Sequence, residues 1–166
     1  MLTFVLLINT DNSMAINCKK ISSVLLVIFS FFSCDSIDKS VIPDSPVYIE
    51  RNIHSEALEL RTIGGYKTFI EIDQYGDAIG FGGILVQYGY DEVYYAFDMA
   101  CPHEVDRNVR VFPNENGQAV CSTCGSVFSI GYGSGNRLSG PVKEGLRRYR
   151  VSISETVAGT IFRVSR

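Results

Sequence analysis

The sequence predicts an all-β domain, a small antiparallel sandwich or barrel, and three observations lead there. First, the 166 residues hold 9 Tyr, 10 Phe and 15 Gly but no Trp, a mixture that favours strands punctuated by turns over a helical bundle. Second, the apolar and β-branched residues fall in short runs. Third, glycine-centred turn signals separate those runs, the spacing of a small sheet protein. The length suits one domain plus a leader.

Val47 to Ile49 opens the series of predicted strands. Ser55 to Arg61, "SEALELR", reads equally as one helical turn or as an extended strand. Lys67 to Ile72 follows the turn signal Gly64-Gly65 and is closed by Tyr75-Gly76-Asp77. Gly83 to Gln87 and Val93 to Asp98 come next, then Val109 to Phe112 and Gln118 to Cys121 on either side of Asn116-Gly117. Val127 to Ile130 follows, and Tyr149 to Ser154 and Thr160 to Val164 flank a closing turn at Ala158-Gly159. There is no internal repeat and no low-complexity tract.

The first residues carry targeting information. From Met14, read here as the true start, the chain shows Lys19-Lys20, an apolar run from Ile21 to Phe32, and then Ser33-Cys34. A short basic region, a short apolar core and a small residue before a cut describe an export signal. The run is too short to span a bilayer, which takes roughly 20 residues. Ser33-Cys34 resembles the lipobox of bacterial lipoproteins, with Phe31 where Leu is usual, and implies that Cys34 is diacylated. An ordinary cleaved signal or an N-terminal anchor helix is the alternative. The expected organisation is an export signal over 1–33, a lipidated tether over 34–46 with two prolines, and a folded domain over 47–166 in the cell envelope. That domain is expected to be lipid-anchored, facing either the periplasm or the cell surface.

Cys18 falls in the leader and Cys34 at the acylation site, leaving Cys101, Cys121 and Cys124 in the domain. Exported domains usually spend cysteines on disulfides. An odd set of three beside His103 fits metal ligation better, with one disulfide plus a free thiol as the bland alternative. Both pairs sit where a strand pattern ends: "VYYAFDMACPH" runs into Cys101-Pro102-His103, and "GQAVCSTCGS" into Cys121 to Cys124. Gly125 stands where a metal knuckle needs a positive φ, and amides turned toward thiolates stabilise their charge.

This pattern resembles the Rieske-type [2Fe–2S] domain family, whose motif is Cys-x-His followed at an interval by Cys-x-x-His-Gly-Ser. Cys101, His103 and Cys121 match, Gly125, Ser126 and Phe128 continue the second loop, and "NRLSGPVKEGLRRYRVSI" resembles the family's Gly-Pro and Leu-x-x-Tyr segment, placing Pro141 beside the site. The likeness covers about residue 47 to the C-terminus and is specific between 101 and 141. It implies the Rieske architecture with two metal-binding loops, Cys101 and Cys121 on an inner iron, and His103 on an outer one. Cys124 stands where the family has its second histidine. The remaining histidine, His54, is expected on a surface loop.

A thiolate in place of a neutral imidazole adds negative charge and lowers the reduction potential. The resemblance thus implies a value below the Rieske range of about −150 to +300 mV, nearer the roughly −400 mV of plant-type ferredoxins. Phe128, where high-potential members have a hydroxyl-bearing Tyr, points the same way. Asp106 and Thr123 replace the cysteines of those members' extra disulfide. Zinc is the rival metal, because Cys3His is a common closed zinc set. Lys19-Lys20 is not a twin-arginine signal, so the chain is expected to cross the membrane unfolded, and zinc, unlike a cluster built in the cytoplasm, can be picked up afterwards. The [2Fe–2S] cluster remains the expected cofactor and zinc the alternative.

Other features carry less. "GFGG" (80–83) and "GYGSG" (131–135) precede no helix and read as β-turns rather than phosphate cradles. Arg148 and Arg150 share a solvated strand face, opposite Arg147 and Tyr149. The tyrosines at 88, 90, 94 and 95 read as sheet packing. A net charge of −3 gives no reason to expect nucleic acid. No acid/base couple or hydrolytic triad stands out. The expected role is one-electron transfer to an unknown redox protein, as a carrier or a component of an oxidoreductase system. A non-redox module with zinc or no metal is the alternative.

Overall fold

The computed structural model describes residues 40–73 and 75–166. The predicted export signal and Cys34 lie outside the described residues, as do residues 34–39 of the predicted tether. Among the described residues eleven strands follow in chain order: β1 Val47–Asn52, β2 Tyr66–Phe69, β3 Ala78–Ile79, β4 Ile84–Tyr88, β5 Tyr94–Asp98, β6 Val111–Pro113, β7 Gln118–Cys121, β8 Val127–Ser129, β9 Arg137–Ser139, β10 Arg148–Thr156 and β11 Gly159–Ser165. The fold is all-β, as the sequence predicts. A seven-stranded, nearly closed sheet runs β2-β4-β5-β10-β11-β1-β3, and a four-stranded sheet runs β6-β7-β8-β9. Every pairing is antiparallel.

The ambiguous segment resolves as a 3-10 turn over Leu58–Arg61, with Leu60 inserted into the core. β3 and β9 have no counterpart among the predicted strands. Both are very short, and β9 is exposed throughout, so neither carries the period-2 alternation that marks a strand in sequence.

The apolar run of β4 shows how the two sheets stack. Ile84 and Val86 face a barrel core with Ile49, Leu60, Phe69 and Phe162, while Leu85 faces a second core with Phe97, Met99, Phe128 and Ile130. β5 divides likewise, Ala96 to the first core and Phe97 to the second. Strands buried on both faces read as continuous apolar runs, which is the "GILVQ" pattern. The four-stranded sheet therefore caps the outer face of the barrel sheet, and Cys101 and Cys121 belong to that second core. Tyr88 and Tyr94 stack across the β4–β5 pair at 4.5 Å, the sheet packing predicted for them.

The predicted tether differs from expectation over its last residues. Ile42 is only 2% exposed, its carbonyl accepts Arg147 Nη1 at 2.9 Å, and Val41 N–H donates to Glu144. Asp44 is clasped by Arg147 and by Arg166. The hydrogen bond from Arg147, then that from Arg166, holds the Asp44 carboxyl below its ordinary 3.8. A depressed pKa means that this clasp is present above about that pH and is lost as pH falls below it. Asp44→Asn at neutral pH is accordingly expected to speed limited proteolysis within residues 40–46 and to leave the β-domain intact. Cleavage at the wild-type rate would show that the clasp is not what holds the segment down.

Candidate metal centre

The first loop leaves β5 through Met99 and Ala100. Met99 N–H donates to Gly83 O, Val111 N–H donates to Met99 O at 2.7 Å, and Ala100 bridges Arg110. Since β6 also pairs with β7, with Val111 opposite Cys121, the ladder brings Cys101 and Cys121 side by side from distant parts of the chain. Each cysteine then opens a turn of the same form. Val105 N–H donates to Cys101 O at 2.9 Å, and Gly125 N–H donates to Cys121 O at 2.9 Å. The residue closing each turn has a positive φ, 52° at Val105 and 70° at Gly125. Glycine is at ease there; a β-branched residue is a genuine outlier, and of order 1–3 kcal/mol of backbone strain sits in the first loop.

The three sulfurs lie within 4.8 Å of one another, a group that can hold a metal ion. Cys101 Sγ and Cys124 Sγ are 3.6 Å apart, and all three residues are free thiols. Cys101 and Cys121 are fully buried, whereas Cys124 sits half-exposed at the rim. Burial pushes the Cys101 thiol up to about 12, against the pull of the His103 and Glu104 amides that donate to its sulfur. Burial also raises Cys124, but hydrogen bonds with the Ser126 hydroxyl and amide and with the Cys101 and Cys121 thiols together outweigh it and leave that thiol below its ordinary 9.0. Ser126 is itself buried, its Oγ 3.1 Å from Cys124 Sγ and 3.4 Å from the Val142 N–H that donates to it.

The structure thus assembles three of the four predicted ligands. His103 is exposed, and its imidazole lies outside the three-sulfur group; its backbone N–H serves Cys101 instead. Pro102 is buried, Phe128 is a fully buried member of the second core, and Pro141 is exposed. His54 lies on the surface with Nε2 3.2 Å from Thr160 Oγ1, as expected. Sequence reasoning missed Asp98, a buried carboxylate just ahead of Cys101, although a charged residue inside an apolar strand pattern was the available signal.

Neither a protein-family model nor a curated protein sequence matches the chain.

The donor set can be tested against the two metals. A tetrahedral ion with metal–sulfur bonds of about 2.3 Å has sulfur–sulfur edges of about 3.8 Å. The 3.6 Å edge between Cys101 and Cys124 fits that figure. A two-iron cluster of Rieske type divides its four ligands between two irons, two on each. That division would move Cys124 away from Cys101 and Cys121 to join His103; here Cys124 shares their corner. The three thiols in place could hold a metal ion.

Proposed function

We propose that this is an exported, lipid-anchored protein whose Rieske-like domain binds one soft ion, zinc, through Cys101, Cys121 and Cys124, with His103 or solvent completing the set. Its function on this reading is structural. The ion fastens two loop tips that the barrel and the four-stranded cap bring together, and it would supply the negative cluster of thiolates with its counter-charge. The observation that carries the reading is the sulfur triangle, in which all three thiols lie within 4.8 Å of one another. Cys124, half-exposed and with its thiol pKa lowered, is the natural first ligand, and buried Cys101, whose thiol pKa is raised, follows when the ion arrives.

A second reading keeps the [2Fe–2S] cluster and one-electron transfer to a partner protein. One observation favours it: His103 stands at the surface directly beside buried Cys101, where an outer ligand of a redox centre would meet that partner.

Metal analysis of protein matured in its native host separates the two. Zinc is expected, with a colourless sample and a stoichiometric load. A brown sample with iron, sulfide and a paramagnetic signal appearing only on reduction would overturn the structural reading and establish the carrier.

A further inference from the structure

Asp98 ends β5, three residues before Cys101, and is fully buried. Its carboxylate receives four donors. Oδ1 accepts the N–H groups of Ala100 at 2.8 Å and Gly82 at 3.0 Å. Oδ2 accepts the Phe81 N–H at 2.9 Å and the Tyr149 hydroxyl at 2.6 Å. About four lone-pair directions are available on a carboxylate, so this one is saturated. The amides come from the turn before β4 and from Ala100, the residue preceding Cys101. A methyl group on Gly82 would lie 2.4 Å from Ala100 N, so only glycine permits this approach. Arg110 tightens the same knot, its Nε donating to Gly82 O at 2.6 Å. Burial and the Asp98 charge hold the Tyr149 hydroxyl well above its ordinary pKa, which keeps it a donor.

The geometry points to Asp98 as the positioning residue of the metal centre: its carboxylate seats the Ala100–Cys101 backbone so that Cys101 Sγ meets Cys121 and Cys124. This rests on the proposed metal site. A buried charge with four donors also stabilises the barrel, so the test must separate the two roles.

Two variants do so. Asp98→Asn preserves size but leaves one acceptor oxygen and turns an NH2 group toward N–H donors. Tyr149→Phe removes the donor from β10 and leaves all three amides seated. The full chain is titrated with zinc alone against a chromophoric chelator, and with Co(II) for its absorption spectrum. Asp98→Asn is expected to bind zinc about 10–100-fold more weakly, the range seen when a group that orients a ligand is lost, with an altered Co(II) spectrum. Tyr149→Phe is expected to melt earlier yet keep wild-type affinity. Should Asp98→Asn fail to fold, Asp98→Glu, which displaces the charge by one methylene, carries the same expectation at smaller size. Unchanged affinity in the Asp98 variant, or an equal loss in Tyr149→Phe, would overturn the assignment.

A metal-free readout keeps the two proposals apart. In the chelated chain, exchange with glutathione disulfide forms one Cys101–Cys124 S–S bond and releases two glutathione thiols. The 3.6 Å separation makes wild type a ready substrate, and the Asp98 variant is expected to react several-fold more slowly. Equal rates would overturn the role of Asp98. Slower exchange in a chain whose wild type takes up no metal would remove the metal reading and leave Asp98's role standing.

Discussion

Cys124→Ser is expected to abolish stoichiometric metal loading and to lower the thermal midpoint by about 10 °C or more. The position suits the test because Cys124 is half-exposed at the rim, so a serine hydroxyl there loses little hydration. The same change at fully buried Cys121 would add the cost of a buried hydroxyl to the loss of the ion. Structural zinc in small peptides is worth about 10–16 kcal/mol of folding free energy. This domain has two apolar cores of its own, so the ion's share is smaller. A share of about 3 kcal/mol, at roughly 4 °C per kcal/mol for a domain of this size, already accounts for the shift. Calorimetry should show wild type with a strong chelator melting where the variant melts, and the chelator should not move the variant further. A Cys124→Ser protein that keeps its full ion load would remove Cys124 from the ligand set.

Arg51→Ala is expected to cost about 3–5 kcal/mol, as breaking a buried ion pair on one side does. Arg51 donates to both carboxylate oxygens of Asp77 and to Asp73, and its side chain and that of Asp77 are 6% and 3% exposed. The guanidinium also lies over the Tyr75 ring at 4.4 Å and the Phe69 ring at 5.8 Å. Alanine leaves the Asp77 carboxylate buried without its cation and opens the space between the rings. With a urea m-value of about 2 kcal/mol/M, the unfolding midpoint should fall by roughly 2 M. Arg51→Met with Asp77→Leu should recover most of the loss, because apolar residues of similar volume replace a buried pair at little cost. A single variant within about 1 kcal/mol of wild type would show that water reaches Asp77 and that the pair is not buried in solution.

The strand content was legible because most of the strands are half-buried or doubly buried, and burial leaves alternation or a solid apolar run in the sequence. β4 is the plainest example: Ile84, Leu85 and Val86 are apolar because cores lie on both sides. β3 and β9 went unpredicted for the converse reason, since residues that bury little are free to be anything. Ile42 shows a different limit. Its neighbours are prolines, Asp and Ser, so the segment reads as a linker, and only the distant Arg147, Arg166 and Glu144 turn it into part of the domain.

At the site, the cysteines were legible from their number and placement: three in the domain, each at the end of a strand pattern or in the knuckle that follows. The motif also placed the imidazole of His103 with them; in the structure it lies outside the three-sulfur group, while the backbone N–H of His103 hydrogen-bonds the Cys101 sulfur. A motif records which residue types lie near each other along the chain. It does not record which way a side chain leaves a turn.

By itself, then, the order of residues determined an all-β chain with two cysteine-bearing loops, because hydrophobic alternation and turn chemistry are local properties. Folding alone decided that Cys124 joins Cys101 and Cys121, that His103 stands outside, and that Asp98 knots the first loop to the turn before β4. Those outcomes depend on hydrogen bonds and burial between segments far apart in the chain, and such partners exist only once the two sheets have stacked.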